Sequence, residues 1–258
     1  MENPKPLISI ITAVKNGEKH LKECFESLHN QSYNNFEHIV IDGGSTDRTL
    51  EIINNHKNKI KFFSSQKDEG IYDGFNKGME QASGEYLGFL NSDDILLPDA
   101  LMTLKKYIVN KNYPDFIFGS VRKHWGVLHG YKPWKIKFSW GFYSSHSTGF
   151  YIKNSSAKLV GEYNLKYKYS SDYDYLYRMI VKHKMKGVGT NKDEVFGIFR
   201  RGGFSSKVSF VEHFKEEIQI RVDNGQSRFL IMFISIYKFI KHFNKFYQHY
   251  KNIIKVKI

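Results

Sequence analysis

Short runs of β-branched and aromatic residues alternate with polar, helix-compatible stretches through the first half of the chain. LISIITAV (7–14), FEHIVID (36–42), KIKFFSS (59–65), EYLGFLN (85–91) and DFIFGS (115–120) predict strands. GEKHLKECFESLHNQ, DRTLEIINNH, GIYDGFNKGMEQAS and PDALMTLKKYIVNK, which lie between them, predict helices, several opened by Asp or Pro and one closed by Gly84. This order predicts an α/β fold, a mostly parallel central sheet flanked by crossover helices. In such sheets ligands bind beyond the carboxyl ends of the strands, which directs attention to TAVKNG, IDGGSTD, SSQKDEG and NSDD. Three of these four segments carry acidic residues. They suit a ligand with hydroxyls, amide N–H groups and a metal ion better than a bare phosphate.

From about Val121 the pattern weakens into an aromatic, basic and irregular stretch, and SSDYDYLYRMIVKHK resumes as a helix from about Asp172. No repeat, low-complexity segment or Pro/Ser linker marks a second folded domain. The expected organisation is one catalytic-size domain, 1–205, with halves 1–120 and 121–205, followed by a helical tail, 206–258. In the tail Phe233, Ile236, Ile240, Phe243, Tyr247, Tyr250 and Ile254 recur at steps of three and four and so share one helical face. Such a stripe packs on the protein's own body, pairs two chains into a homodimer, or lies on an anionic membrane surface.

Composition narrows this further. With 258 residues, 41% apolar and 16% aromatic, the chain has material for a sizeable core. Its single cysteine, Cys24, forms no internal disulfide, which predicts a cytoplasmic protein. The apolar stretch Leu7 to Val14 is too short for a membrane span, and Lys238 interrupts the run that starts at Phe229, so no segment is expected to cross a bilayer. A net charge of +13 points to a polyanionic partner: nucleic acid, anionic lipid or a phosphorylated substrate. After Asp223 no acidic residue follows, whereas Lys238, Lys241, Lys245, Lys251, Lys255 and Lys257 do, so much of the excess belongs to the tail. The first strand is not followed by G-x-G-x-x-G, and there is no phosphate-binding G-x-x-x-x-G-K-[ST], no H-E-x-x-H and no Cys/His zinc spacing. Dehydrogenase and P-loop readings lose their main support.

FLNSDDILLPD, residues 89–99, sets Asp93 and Asp94 where an apolar strand ends. Hard oxygen donors at a strand terminus suit Mg²⁺ or Mn²⁺, ions that keep open positions for substrate phosphates. The alternative is that Asp94 or Asp99 caps the following helix.

Four segments in order carry a resemblance: PLISIITAVKNGEKHLKECFESLHNQSYNNFEHIVIDGGSTDRT, DEGIYDGFNKGMEQASGEYLGFLNSDDILLPDAL, SSDYDYLYRM and FRRGGFS. Together they resemble the family 2 glycosyltransferases of the GT-A fold over roughly residues 7 to 205, with bacterial surface-polysaccharide enzymes as the nearest likeness. The resemblance implies a nucleotide-sugar donor (a UDP-sugar foremost), a divalent metal, Mn²⁺ or Mg²⁺, and inversion at the anomeric carbon. Carried onto this chain, Thr12, Ala13 and Asn16 meet the nucleotide, Asp42 and Gly44 hold base and ribose, and Asp68 lies in the loop over the base. Gly43 stands where many relatives carry a second Asp. Asn91, Ser92 and Asp93 fill the D-x-D motif with Asn for its first Asp, leaving Asp93 as main metal ligand and Asp94 as helper.

Asp172 aligns with the acid before the family's late helix and is the candidate base that takes the proton of the acceptor hydroxyl; an N-cap is its other role. Asp174 lies roughly 200° around the helix from Asp172 and stands four residues before Arg178, the spacing of a helical ion pair. His146 is a candidate on the acceptor side, Arg200 and Arg201 are candidates for the diphosphate, and Gly202–Gly203 suggests a lid. Q-x-x-R-W, which accompanies processive synthesis in this family, does not occur, so one sugar per encounter is expected. The expected function is therefore metal-dependent transfer of one sugar to a hydroxyl of a saccharide acceptor, lipid-linked and reached at the inner face of the cytoplasmic membrane. Two rivals are a catalytically silent sugar-nucleotide binder and a basic nucleic-acid-binding protein. Acidic strand ends would repel a phosphate backbone, so nucleic acid is not the expected partner.

Overall fold

β1 (Ile8–Val14) is buried at all seven positions, as a strand in the middle of a sheet must be. It pairs in parallel with β2 (Phe36–Asp42) on one side and with β4 (Tyr86–Phe89) on the other, and β3 (Phe62–Ser65) extends the sheet beyond β2. This is a computed structural model; it describes residues 8–138, 146–200 and 208–256. Helices α1 (Leu21–His29), α2 (Thr49–Asn55), α3 (Ile71–Gln81) and α4 (Ala100–Asn110) fall inside the four predicted segments. Lys59, the first residue of the third predicted strand, belongs to the 3₁₀ turn Lys57–Lys59, and the strand itself starts at Phe62. α3 lies close against β1: a Cβ on Gly74 would come within 2.7 Å of the Ala13 Cβ, and one on Gly78 would strike the Ile11 side chain.

The full sheet runs β3-β2-β1-β4-β9-β6-β10, with β6 (Phe116–Phe118), β9 (Phe150–Lys153) and β10 (Gly187–Gly189). β9 is antiparallel to both neighbours and every other pairing is parallel. A second sheet, β5-β11-β7-β8, is built from β5 (Ile95–Leu96), β7 (Ser120–Lys123), β8 (Gly126–Leu128) and β11 (Val195–Ile198). These short strands lie outside the regular strand–helix alternation that marks the first sheet in the sequence. β5 begins immediately after Asp94, so that residue sits between the two sheets.

Contacts divide the chain into two units, described separately. Both sheets, α1 to α4 and α6 (Asn154–Val160) belong to the first, which comprises 8–131, 146–163 and 185–200 of the described residues. The second contains α5 (Pro133–Phe138), α7 (Ser171–Tyr177) continued by a π-helical turn Arg178–Lys182, and the tail helices α8 (Phe210–Asp223), α9 (Arg228–Lys241) and α10 (Phe243–Val256). Segment 164–184, placed with the 121–205 half by sequence alone, thus groups with the tail helices.

The second unit is tied by charge. Arg221 is fully buried, with Nη2 2.9 Å from Glu217 Oε1 and Nη1 donating to Lys137 O at 3.0 Å and Gln226 Oε1 at 2.7 Å. Lys238 is also buried and pairs with the other Glu217 oxygen. The lysine that breaks the apolar run at Phe229 is therefore an internal cation with a carboxylate partner, not part of a basic surface. Asp174 meets Arg178 at 2.8 Å, as the four-residue spacing predicts, and accepts from Asn224 Nδ2 at 2.8 Å.

The tail stripe is not one helical face. Its helix breaks at His242, and α9 buries Ile231, Ile234 and Lys238 while Phe233 (64% exposed), Ile236, Ile240 (70%), Phe243 and Tyr247 stay exposed. A single period of 3.6 read across the break had merged two helices. The side chains of Tyr250 and Ile254 lie outside the described residues.

Candidate active site

β1 leads to β2 and β3 on one side of the sheet, and the chain then returns to place β4 on the other. Such a reversal opens a crevice beyond the carboxyl ends of β1 and β4. The loops that border it are 15–17, 43–46 and 91–94.

Asp42, at the end of β2, has no exposed surface. Its carboxylate accepts the N–H groups of Gly44 (3.1 Å) and Ser45 (3.0 Å) and the hydroxyls of Ser45 (2.5 Å) and Ser65 (2.7 Å). Gly44 takes φ +79°, a left-handed conformation that glycine adopts without strain. Asn16, at φ 51°, donates its N–H to Ser45 Oγ (2.7 Å) and accepts the Thr46 N–H at Oδ1 (2.9 Å). Asn16, Asp42 and Gly44, all expected at the nucleotide, are thus brought together as one laced pair of loops. Thr12 and Ala13 face inward instead: Thr12 Oγ1 lies 3.1 Å from His38 Nε2, and Ala13 packs beneath Gly74.

Asp68 explains Gly43. A Cβ on Gly43 would run into the Asp68 carboxylate, so the acid supplied from the loop before α3 fills the space a side chain at 43 would need. Burial raises the Asp68 carboxyl above its usual range even though Oδ1 accepts the Gly70 N–H at 3.1 Å.

At the end of β4, Asp93 is half-buried and Asp94 fully buried. Asp94 Oδ2 accepts from Thr148 Oγ1 (2.7 Å) and Asn91 Nδ2 (3.1 Å) and lies 3.4 Å from His146 Nδ1, while Oδ1 accepts the Arg200 N–H at 3.2 Å. Burial, and secondarily the Asp93 charge, push the Asp94 carboxyl up to about 7; burial also raises Asp93. Expected as a metal helper, Asp94 has both oxygens engaged by the protein. Burial, then the Lys123 charge, hold the His146 ring down to about 3, so it is neutral at physiological pH.

Arg200 was expected at a diphosphate. Its guanidinium instead reaches the start of α1, 2.7 Å from His20 Nδ1 and paired with Glu23. Arg201 and the Gly202–Gly203 pair lie outside the described residues. Sequence reading missed Thr148, Ser147, His20 and Glu23; the first two were signalled only by sitting beside His146 in SSHSTGF.

Among the described residues no three His, Cys, Asp or Glu side chains gather as a metal cluster. Two hard oxygens do suit a divalent ion that draws its other ligands from phosphate: the Asp93 carboxylate, and Asn91 Oδ1, which is buried with no protein partner. In the second unit Asp172 is exposed in the first turn of α7, with Oδ1 accepting the Tyr173 N–H at 2.8 Å.

The family model described as glycosyl transferase family 2 matches residues 9–168. An uncharacterized glycosyltransferase of Haemophilus influenzae is 46% identical over 99 residues, 37% of this chain and 40% of that one, so the matched stretch spans two fifths of the relative. Among solved structures, Staphylococcus aureus TarS 1-349 in complex with UDP-GlcNAc superposes with TM-score 0.70 at 20% identity, over 92% of this chain and 72% of that one. The Pyrobaculum calidifontis mannosyltransferase PcManGT, in complex with GDP-Man and Mn²⁺, does so with TM-score 0.64 at 15% identity, over 91% and 70%. The fold is shared with both.

The Gly43–Asp68 packing is testable without ligand. Gly43→Ala is expected to cost up to about 1 kcal/mol in urea unfolding, because the clash is with the end of the partly exposed Asp68 side chain, which can turn aside. Gly43→Ala combined with Asp68→Ala should recover most of that loss, whereas simple additivity would show that the two positions do not compete for space.

Proposed function

This chain belongs to glycosyl transferase family 2, and from that premise we propose that it moves one sugar from a nucleoside-diphosphate donor, a UDP-sugar foremost, to a hydroxyl of a saccharide acceptor with inversion. The observation that carries this reading is the end of β4, where Asp93 and the unpartnered Asn91 Oδ1 border the crevice beside the laced loops of Asn16 and Asp42. That UDP-GlcNAc and GDP-Man occupy proteins of the same fold supports a nucleotide sugar as donor.

In the proposed reaction the acceptor oxygen attacks the anomeric carbon as the sugar–phosphate C–O bond breaks and the nucleoside diphosphate leaves. Asp172 takes the acceptor's proton, which an exposed carboxylate at a helix start is able to do. Asp93, with Asn91 Oδ1, would hold Mn²⁺ or Mg²⁺, which supplies neutralisation of the charge arising on the diphosphate. Asn16, Gly44 and Asp68 shape the base and ribose pocket, while the Asp42 carboxylate, spent on Gly44, Ser45 and Ser65, keeps the loop in position.

The acceptor is proposed to be lipid-linked, with the protein peripheral on the inner face of the cytoplasmic membrane. No helix among the described residues is long and apolar enough to cross a bilayer. The exposed aromatic face of α9 and α10 beside Lys241 and Lys245, in a tail with no acid after Asp223, supports an anionic lipid surface as its occupant.

Three outcomes test this reading. Asp93→Ala should lose at least about tenfold in UDP affinity measured with Mn²⁺ by calorimetry while its melting temperature changes little; affinity equal to the parent's would remove Asp93 from the metal site. Asp172→Asn should keep donor affinity and lose ~10²–10⁴-fold in transfer, the range of a missing general base; near-normal turnover on the true acceptor excludes that role. Serine at Phe233, Ile236, Ile240 and Phe243 together should abolish co-sedimentation with phosphatidylglycerol liposomes without changing UDP affinity. If the parent ignores the liposomes and instead dimerises through the same residues, the face is an interface between copies.

A further inference from the structure

Asn91 uses both protons of its side-chain amide inside the protein. Nδ2 donates to Asp94 Oδ2 at 3.1 Å and to Ser147 Oγ at 2.8 Å. A carboxylate only accepts, so the contact with Asp94 decides which end of the amide points to it and which end, Oδ1, is left without a protein partner. Asp94 also takes the Thr148 hydroxyl and the Arg200 N–H, and it has no exposed surface. An acid at 91 would set two carboxylates against each other in a place water does not reach, a costly arrangement.

We infer that Asn91 and Asp94 form a matched amide–acid pair, which keeps one acid of the 91–94 loop inside the protein and leaves Asp93 as the only acidic side chain of that loop facing the crevice. Asp94 is on this view a positioning residue: it orients the Asn91 amide and ties β4 and β5 to the Ser147–Gly149 turn and to the end of β11. The inference rests on the metal-dependent reading above only for its consequence, a cation held by one full charge plus a neutral oxygen. The exchange Asn91→Asp with Asp94→Asn is predicted to preserve the hydrogen bond with donor and acceptor reversed, because the Thr148 hydroxyl turns to accept as readily as it donates. It moves the acid from position 94, which has no exposed surface, to position 91, which has some.

The experiment compares the parent, Asn91→Asp, Asp94→Asn and the double exchange. In metal-free buffer each single variant should melt about 4 °C or more below the parent, and the double exchange should regain at least half of the loss. In calorimetry with UDP, the double exchange should bind Mn²⁺ about tenfold more tightly than the parent, since two carboxylates then face the cation. Asn91→Asp melting with the parent, or a double exchange no more stable than the singles, would overturn the pair. Should Asn91→Asp not fold, a folded double exchange still supports the pair and an unfolded one refutes it. The metal-free melting series does not depend on the donor. A parent that binds neither UDP nor GDP with Mn²⁺ would therefore defeat the proposed function and leave the pair standing or falling on its own result.

Discussion

A carboxylate with no exposed surface has to be answered by protein donors or give up its charge, and Asp94 is answered from three directions. Asn91 reaches it from the end of β4, Thr148 from the turn before β9 and the Arg200 N–H from the end of β11. These segments adjoin strands of two different sheets, so this one residue links the seven-stranded and four-stranded sheets at the rim of the crevice. Its burial raises its own affinity for a proton, while its hydrogen bonds pull the other way.

Asp42 repeats the device on the other side of β1. It has no surface, four short contacts, and a loop whose path those contacts decide. The functional rim is thus shaped by two acids that do not themselves face solvent. Asp68 and Asp93 keep some exposed surface, and burial raises both carboxyls above their usual range. Preorganisation of this kind lets a binding site use its electrostatics without reordering its loops.

The second unit shows the same logic with the signs exchanged. Glu217 sits between buried Arg221 and buried Lys238, and Asn224 links Asp174 to α8. Glu216 adds two acceptors for the N–H groups of Lys168 and Tyr169 ahead of α7. The C-terminal helices are therefore part of the same packed unit as the helix that bears Asp172, and the outer aromatic face of α9 and α10 stays exposed.

Strands β1 to β4 and helices α1 to α4 were legible because apolar, β-branched runs there alternate regularly with polar, helix-compatible stretches, and β1, buried throughout, reads as a continuous apolar run. The strand-end segments were legible for the same reason, since ligands of a parallel sheet gather at its carboxyl ends. The strands of the second sheet, β5, β7, β8 and β11, were not, because no regular alternation of apolar runs and helix-compatible stretches frames these short segments. Nor could a residue's chemical type tell Asp93 from Asp94, Lys238 from Lys241, or the inward Thr12 from the loop residue Asn16. Those distinctions depend on burial and on partners far apart in the chain, such as the Arg200 N–H for Asp94, Glu217 for Lys238 and His38 for Thr12. Local sequence determined which elements form and where the strand-end acids gather; only long-range packing decided which of two adjacent acids is buried and bonded on both oxygens and which keeps exposed surface.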